Sequence, residues 1–457
     1  MLINKLDNVE VDLSTGHKFA REDIREGENI IKYGNPIGHA TSDIKKGEQV
    51  HTHNMKTNLS GIIEYKYTPF EDGEHAYPYR YKNIMGYVRK DGSVAIRNEI
   101  WIVNTVGCVN KVSEELSRLT GAFHFPHPFG CSQLGDDQSV TQKILKGMVN
   151  HPNAAGVLVL GLGCENNNID VFKGVLGEYD EERVKFLNCQ DFEDDIAEGV
   201  KLINELKEYA AQFTRQPVPV SALKVGLKCG GSDGFSGITA NPLVGRFSVM
   251  LIDAGGTSVL TEVPEMFGAE HLLMARAESR EIFDKTVDLI NNFKEYYDRH
   301  NQVIYENPSP GNKKGGITTL EEKSLGCVQK AGSRKVVDVL DYGDTLSKNG
   351  LNLLNGPGND IVAITNLMAA GAHIILFTTG RGTPVGAPVP TVKVSTNTPL
   401  AEKKSRWIDY NAGKILDGVD CDEDFFRYVL SVAEGEETVN EKYGYREISI
   451  FKDGVVL

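Results

Sequence analysis

LKCGGSDGFSGITANP, residues 227–242, decides how the rest of the chain is read. It continues the apolar run LKVGLK (223–228) directly into a thiol, two glycines, a serine and a carboxylate, before a proline at 242. A buried strand that ends in so much backbone freedom, with one soft ligand atom and one acid, reads as the rim of a polar site. In open α/β sheets ligands bind beyond the carboxyl ends of the strands. Glycines at that edge let the backbone approach a ligand and present its N–H groups.

Working outward, the same grammar recurs. EIWIVNTV is followed by Gly107-Cys108-Val109-Asn110, and AGVLVLGL by Gly163-Cys164-Glu165-Asn166. AFHF leads into HPFGCSQLGDD with Cys131, and HIILFTT into Gly380-Arg381-Gly382-Thr383. Further strand candidates are 183–189, 257–263 and 391–396. Between them, Ile196, Val200, Ile203, Leu206, Ala210 and Phe213 recur at helical spacing, as do Ile282, Thr286, Ile290, Phe293 and Tyr297. Thr318 followed by Glu321 predicts a capping box. Alternating strands and helices predict an α/β fold with a largely parallel sheet, in two subdomains. Residues 1–65 differ: short apolar runs with Gly-Glu turns predict a small all-β domain. The expected division is 1–65, a polar aromatic linker over 66–84, and α/β parts over 85–245 and 246–457.

The chain has 457 residues and a net charge of −14, with no basic block. That argues against nucleic acid or an anionic membrane as partner, so an anionic substrate needs local cations or a metal. No run approaches ~18 apolar residues, and the charged start lacks a leader's apolar core, so a cytoplasmic protein is expected. Seven sparse cysteines read as thiols or metal ligands rather than a disulfide framework. GLGCEN has an asparagine where a dinucleotide loop needs its third glycine, and no P-loop, HExxH or CxxC occurs. Any parallel sheet needs Gly-rich turns, but repeated clusters at equivalent positions favour a site.

Candidate residues follow from chemistry. VHTHN (50–54) read as a strand puts His51 and His53 on one face, a chelating pair for a divalent metal, with His17 beside another turn glycine. Cys108, Cys131, Cys164 and Cys229, drawn to one sheet edge, are further candidate ligands, and together could hold an iron–sulfur cluster. Glu165 and Asp233 are candidates for acid–base work. Arg381 and Lys314, the latter in the loop YENPSPGNKKGGITT (305–319), suit a carboxylate. Asn54, Asn110, Asn166, Ser232 and Thr383 are candidates for substrate hydroxyls.

GHKFA, NIIKYGNPIGHA and VHTHNMKTNLS resemble the N-terminal SAF-type β-clip domain of the altronate and galactarate dehydratase family. RNEIWIVNTVGCVN, GCSQLGDD, CGGSDGFSGITANPLVGRFS, LTEVPEMFGAE, YENPSPGNKKGGITTLEEKSLGCVQKAG and FTTGRGTPVG resemble the body of the same enzymes. The resemblance implies dehydration of D-altronate to 2-dehydro-3-deoxy-D-gluconate, a step in galacturonate breakdown, with Fe²⁺ or Mn²⁺ as cofactor. A related aldarate such as galactarate, or a sulfolactate-type C–S lyase reaction, is the alternative. A small sugar acid is the expected partner, and a homo-oligomer is left open.

Overall fold

The computed structural model describes residues 1–68 and 81–455. The strand Lys224–Cys229 lies at the middle of a seven-stranded parallel sheet. Its neighbours on one side are Thr257–Leu260, Gly350–Leu354 and Val336–Leu340; on the other they are Ile374–Thr379, Thr391–Ser395 and Tyr410–Asn411. Both faces are covered, which is why these strands read as continuous apolar runs rather than alternating ones. Leu227, Leu376 and Val394 pack with Phe247 of the helix Ala240–Asp253 on one face. Ile375 and Phe377 pack with Ile364 and Leu367 of the helix Asp360–Ala369 on the other.

A second parallel sheet has four strands in the order Phe123–His124, Glu99–Asn104, Ala154–Gly161, Val184–Asn188. The predicted helical periodicity over the following segment forms Asp195–Ala210, which buries Ile203 and Leu206 against this sheet. The helix Gly135–Asn150 joins the two halves. A side chain at Gly147 would sit 2.4 Å from the Ala369 carbonyl oxygen, so glycine is what allows the two helices to touch. The strand Lys224–Cys229 belongs to the seven-stranded sheet, so a division at 245/246 would cut that sheet; the chain passes from one sheet to the other between Ala210 and Lys224. Part of the expected linker, residues 69–80, lies outside the described residues. On either side of it Tyr65, Tyr67 and Tyr81 pack on the core.

Residues before 60 form two antiparallel three-stranded sheets: Val9–Val11, Lys18–Ala20, Gln49–Val50, and Asn29–Lys32, Asn35–Ala40, Met55–Lys56. The two Gly-Glu turns are built alike. Glu28 accepts from the Arg25 N–H at 2.8 Å, and Glu48 from the Lys45 N–H at 2.7 Å. This small domain docks on its own body through a buried ion cluster that the sequence did not announce. Lys18 and Lys32 each place Nζ 2.8 Å from one carboxylate, Glu322. Burial pulls Lys18 down to about 8, against the Glu322 charge. Burial pushes Glu322 up, but the two lysine charges more than reverse this and hold it well below the usual carboxylate range. The expected capping box is displaced by one residue. Thr319 caps the helix Leu320–Cys327, and its third residue, Glu322, turns away to the lysines.

Candidate active site

Cys229 closes its strand fully buried. Its Sγ lies 3.2 Å from Cys327 Sγ, which comes from the end of the helix Leu320–Cys327. Glu265 Oε2 lies 3.2 Å from Cys229 Sγ and 3.1 Å from Cys327 Sγ. Among the described residues, this is the one group of three such donors within 4.8 Å of one another. Ammonium groups surround it. Lys323 Nζ is 2.7 Å from Glu265, Lys330 Nζ is 3.4 Å from Glu262, and Lys228 contacts both Glu262 and, at 2.9 Å, Asp360. The Cys327 thiol is pushed well above its ordinary value, first by the hydrogen bond with Cys229 and then by burial. Three ammoniums face three carboxylates, so a dication held by two thiolates would add no net charge. The donor set therefore fits a thiophilic divalent ion such as Fe²⁺, while sulfur ligands disfavour Mn²⁺. Glu262 has a left-handed backbone (φ 71°), a strain that non-glycine residues bear where surrounding contacts hold them.

Directly beyond Cys229, Ser232 is buried with Oγ 3.8 Å from the Cys229 sulfur. Asp233 is also buried, but its carboxylate is occupied. It accepts from Thr396 Oγ1 at 2.9 Å, Asn397 Nδ2 at 3.1 Å, the Phe235 N–H at 3.1 Å and Ser236 Oγ at 3.2 Å. Burial still raises it, in spite of those donors. Its geometry is that of a clamp between two loops. A side chain at Gly380 would strike the Asp233 carboxyl at 2.2 Å, so this glycine is required where the loop carrying Arg381 passes. The short helix Pro310–Lys314 closes the arrangement: Asn312 Nδ2 donates to the Ser232 carbonyl at 2.8 Å, and Gly311 lies against the exposed Arg381. On its other side, His51 Nε2 meets the Lys313 carbonyl at 2.9 Å, and the His17 and His51 rings are 5.4 Å apart. Partial burial, with Lys18 and His17 nearby, lowers His51, so its imidazole is neutral near pH 7. Thus Ser232, Asp233, Lys314, Arg381, His17 and His51 share the seam between the small domain and the seven-stranded sheet.

Other expectations are corrected. Residues 51–54 form a turn, with the Asn54 N–H donating to the His51 carbonyl at 3.0 Å, so the alternation that paired His51 with His53 does not exist and His53 is exposed. Asn54 spends its side chain on that turn, accepting from the His51 N–H at 2.9 Å and donating to Gln49 at 2.9 Å. Cys108, Cys131 and Cys164 do not join Cys229. They stand exposed at the edge of the four-stranded sheet, with Glu165, Asn110 and Asn166. Asn110 is occupied within its own loops by Asn104 and His127. Asn166 accepts from the Ser132 N–H at 3.0 Å. Buried Glu165 accepts from Thr105 Oγ1 at 2.6 Å and from the Gly163 and Leu162 N–H groups. Burial would raise it, but these donors hold it below its ordinary value. Cys189, just beyond the fourth strand, is pushed up to about 12 by burial and by Asp195. Thr383 lines a cavity of about 950 Å³ between the two halves, with Phe123, Trp407 and Arg446. Sequence reasoning missed Cys327 and Glu265. Cys327 sits inside a helical run and Glu265 beyond a strand end, and only folding brings them to Cys229.

The two parallel sheets with polar carboxyl edges and the docked β domain match, in order, three family profiles: the altronate/galactarate dehydratase SAF domain over 3–58, the D-galactarate dehydratase/altronate hydrolase second domain over 86–211, and the D-galactarate/altronate dehydratase C-terminal domain over 220–456. The chain belongs to this family of hydro-lyases. It is 53% identical to the altronate dehydratase of Bacillus subtilis (strain 168) over 98% of this chain and 93% of that one. It is 51% identical to the altronate dehydratase of Escherichia coli (strain K12), covering 99% and 94%. The galactarate dehydratase (L-threo-forming) of the same organism is 31% identical, covering 96% and 90%.

Proposed function

We propose that the protein dehydrates D-altronate to 2-dehydro-3-deoxy-D-gluconate and water in the cytoplasm, with Fe²⁺ as its metal. The observation that carries this reading is the step in identity, from 51% or more with two altronate dehydratases to 31% with the galactarate enzyme, at nearly complete coverage in each case. Cys229, Cys327 and Glu265 would hold the ion. Bound there, Fe²⁺ supplies a Lewis-acid charge behind the Cys229–Asp233 loop.

The remaining chemistry falls to side chains at the seam. Removing the C2 proton beside a carboxylate builds a second negative charge, and cations must offset it. Arg381 is set to grip the substrate carboxylate bidentately, with Lys314 as a second cation. His51 is the base. Its Nε2 is turned to the Lys313 carbonyl, so Nδ1, which lies 3.1 Å from Thr52 Oγ1, is the nitrogen that takes the proton. The C2–H electron pair forms the C2=C3 bond as the C3–O bond breaks, and the departing hydroxyl leaves as water after gaining one proton. The enol at C2 then returns a proton to C3, giving the 2-keto acid. The buried Asp233 keeps the Ser232 and Arg381 loops in register.

The test is keto-acid formation from a panel of aldonates and aldarates after anaerobic loading with Fe²⁺ or Mn²⁺. Fastest turnover of altronate with Fe²⁺ is expected. Preference for galactarate, or sulfite release from sulfolactate, would overturn the substrate assignment. Arg381→Ala should raise KM at least tenfold with a smaller change in kcat; an intact KM would remove Arg381 from carboxylate binding.

A further inference from the structure

The four-stranded sheet carries a second concentration of sulfur that the proposed reaction does not use. Three of its strands lead into the same dipeptide: Gly107-Cys108 after Glu99–Asn104, Gly130-Cys131 after Phe123–His124, and Gly163-Cys164 after Ala154–Gly161. These strands are adjacent in the sheet, where neighbours lie ~4.8 Å apart. Their loops are tied backbone to backbone. The Gly107 N–H donates to the Phe129 carbonyl at 2.9 Å, and the Asn167 N–H to the Gly130 carbonyl at 3.0 Å. The Ser132 N–H reaches Asn166 Oδ1 at 3.0 Å. Cys131 is thereby held between the loops of Cys108 and Cys164. The glycines make this possible: a side chain at Gly130 (φ 99°) would sit 1.9 Å from the Thr105 carbonyl oxygen, and one at Gly107 would sit 2.6 Å from that of His127.

All three thiols are free and exposed. Thiolates on one tetrahedral ion sit ~2.3 Å from the metal, hence roughly 3.8 Å from each other. Yet these sulfurs form no group of three donors within 4.8 Å. Cysteines on the loops of three adjacent strands suit a polynuclear centre, whose cysteines bind different irons. In the same loop as Cys131, Gln133 is buried. Its Oε1 accepts from the Gly130 N–H at 3.2 Å and from Thr141 Oγ1 at 2.9 Å, while its amide nitrogen has no acceptor among the described residues. N–H donors to sulfur are one of the means by which proteins tune such clusters.

We propose that Cys108, Cys131 and Cys164 bind a [4Fe–4S] cluster through three irons. Each thiol releases its proton to solvent on binding. Cys189, the remaining cysteine at this edge, is only half-exposed, and the fourth iron is left open to a hydroxyl or carboxylate oxygen. This site is separate from Cys229, Cys327 and Glu265, and does not depend on altronate being the substrate.

The experiment is anaerobic reconstitution of the full chain with Fe³⁺, sulfide and a thiol reductant that converts part of the iron to Fe²⁺, followed by desalting. About five iron and four acid-labile sulfide per chain, the fifth iron being that at Cys229, Cys327 and Glu265, with a broad visible absorption band, are expected. Cys108→Ser, Cys131→Ser and Cys164→Ser should each lose most of the sulfide, while Cys421→Ser keeps it. A second measurement needs no variant: alkylation of the three cysteines, read by peptide mass, should be blocked by loading and restored by oxidative stripping. Iron without sulfide, a cluster that survives loss of all three thiols, or unblocked alkylation in loaded protein would each overturn the proposal.

Discussion

At the carboxyl edge of the seven-stranded sheet sulfur is buried, paired and ringed by charge; at the edge of the four-stranded sheet it is exposed and ringed by backbone. Cys229 and Cys327 touch each other and Glu265, with Lys323, Lys228 and Lys330 around them. Cys108, Cys131 and Cys164 face solvent, and the carboxylate behind them, Glu165, is held by one hydroxyl and two N–H groups rather than by cations. In sequence the two edges read alike, as a cysteine beside glycine after an apolar run. The difference lies in what covers them. The helix Leu320–Cys327, the loop before it and the docked small domain all lie over the first edge. Burial converts a ligand-rich loop into a charge-balanced core, whereas exposure leaves thiols open to exchange with solvent species.

The comparison breaks most readily through its two carboxylates. Glu265→Ala strips the partner from buried Lys323 and should cost ~3–5 kcal/mol, the usual price of leaving one buried charge unpaired. Glu165→Ala leaves neutral donors short of an acceptor and should cost ~1–3 kcal/mol. Denaturant unfolding of the two variants measures both. Equal losses would mean that the lysine cage contributes nothing beyond ordinary hydrogen bonding.

The α/β class and the strand positions were legible because fully buried parallel strands are unbroken apolar runs bounded by glycine, as at Ile374–Thr379. The rim residues Ser232, Asp233 and Arg381 were legible for the same reason: they follow those runs. What escaped was set by tertiary contact. Nothing local marks Cys327 as a partner of Cys229, since they are 98 residues apart. Val336–Leu340 was missed because its burial is uneven along the strand, and Gly350–Leu354 because Asn352 interrupts its apolar run although the strand is fully buried. The His51–His53 reading failed because Asn54 closes a turn on the His51 N–H, a local hydrogen bond that overrides strand alternation.

Acid should sharpen the contrast. Glu265 is held well below 4.5; burial opposes this, but Lys323, Lys228 and Lys330 outweigh it. A depressed folded-state pKa adds stability that is fully present above the unfolded value, about 4.5, and is lost as pH falls below it toward the folded value. Glu322 acts in the same direction at the small-domain seam. Stability should therefore drop steeply on acidification below pH 4.5. Glu265→Ala should flatten that limb clearly and Glu165→Ala less, when unfolding midpoints are followed from pH 6 to pH 3. An acid limb unchanged by Glu265→Ala would place the acid-sensitive charges elsewhere.

The smallest effect concerns the sulfurs themselves. In metal-free protein, Cys164→Ser exchanges an exposed thiol that accepts from Gln190 Nε2 at 3.6 Å, and should change stability by no more than ~0.5 kcal/mol. Cys327→Ser places a more polar hydroxyl in a fully enclosed site, 3% exposed, whose remaining partners are a thiol and a carboxylate already bonded to Lys323. A loss of ~1–3 kcal/mol is expected there, as for a buried polar group that is imperfectly paired. Thermal unfolding of the two variants side by side reads the difference directly. If Cys164→Ser proves the more costly, the exposed thiols carry structural weight in the apo chain, and the division between a buried and an open sulfur edge fails at its simplest point.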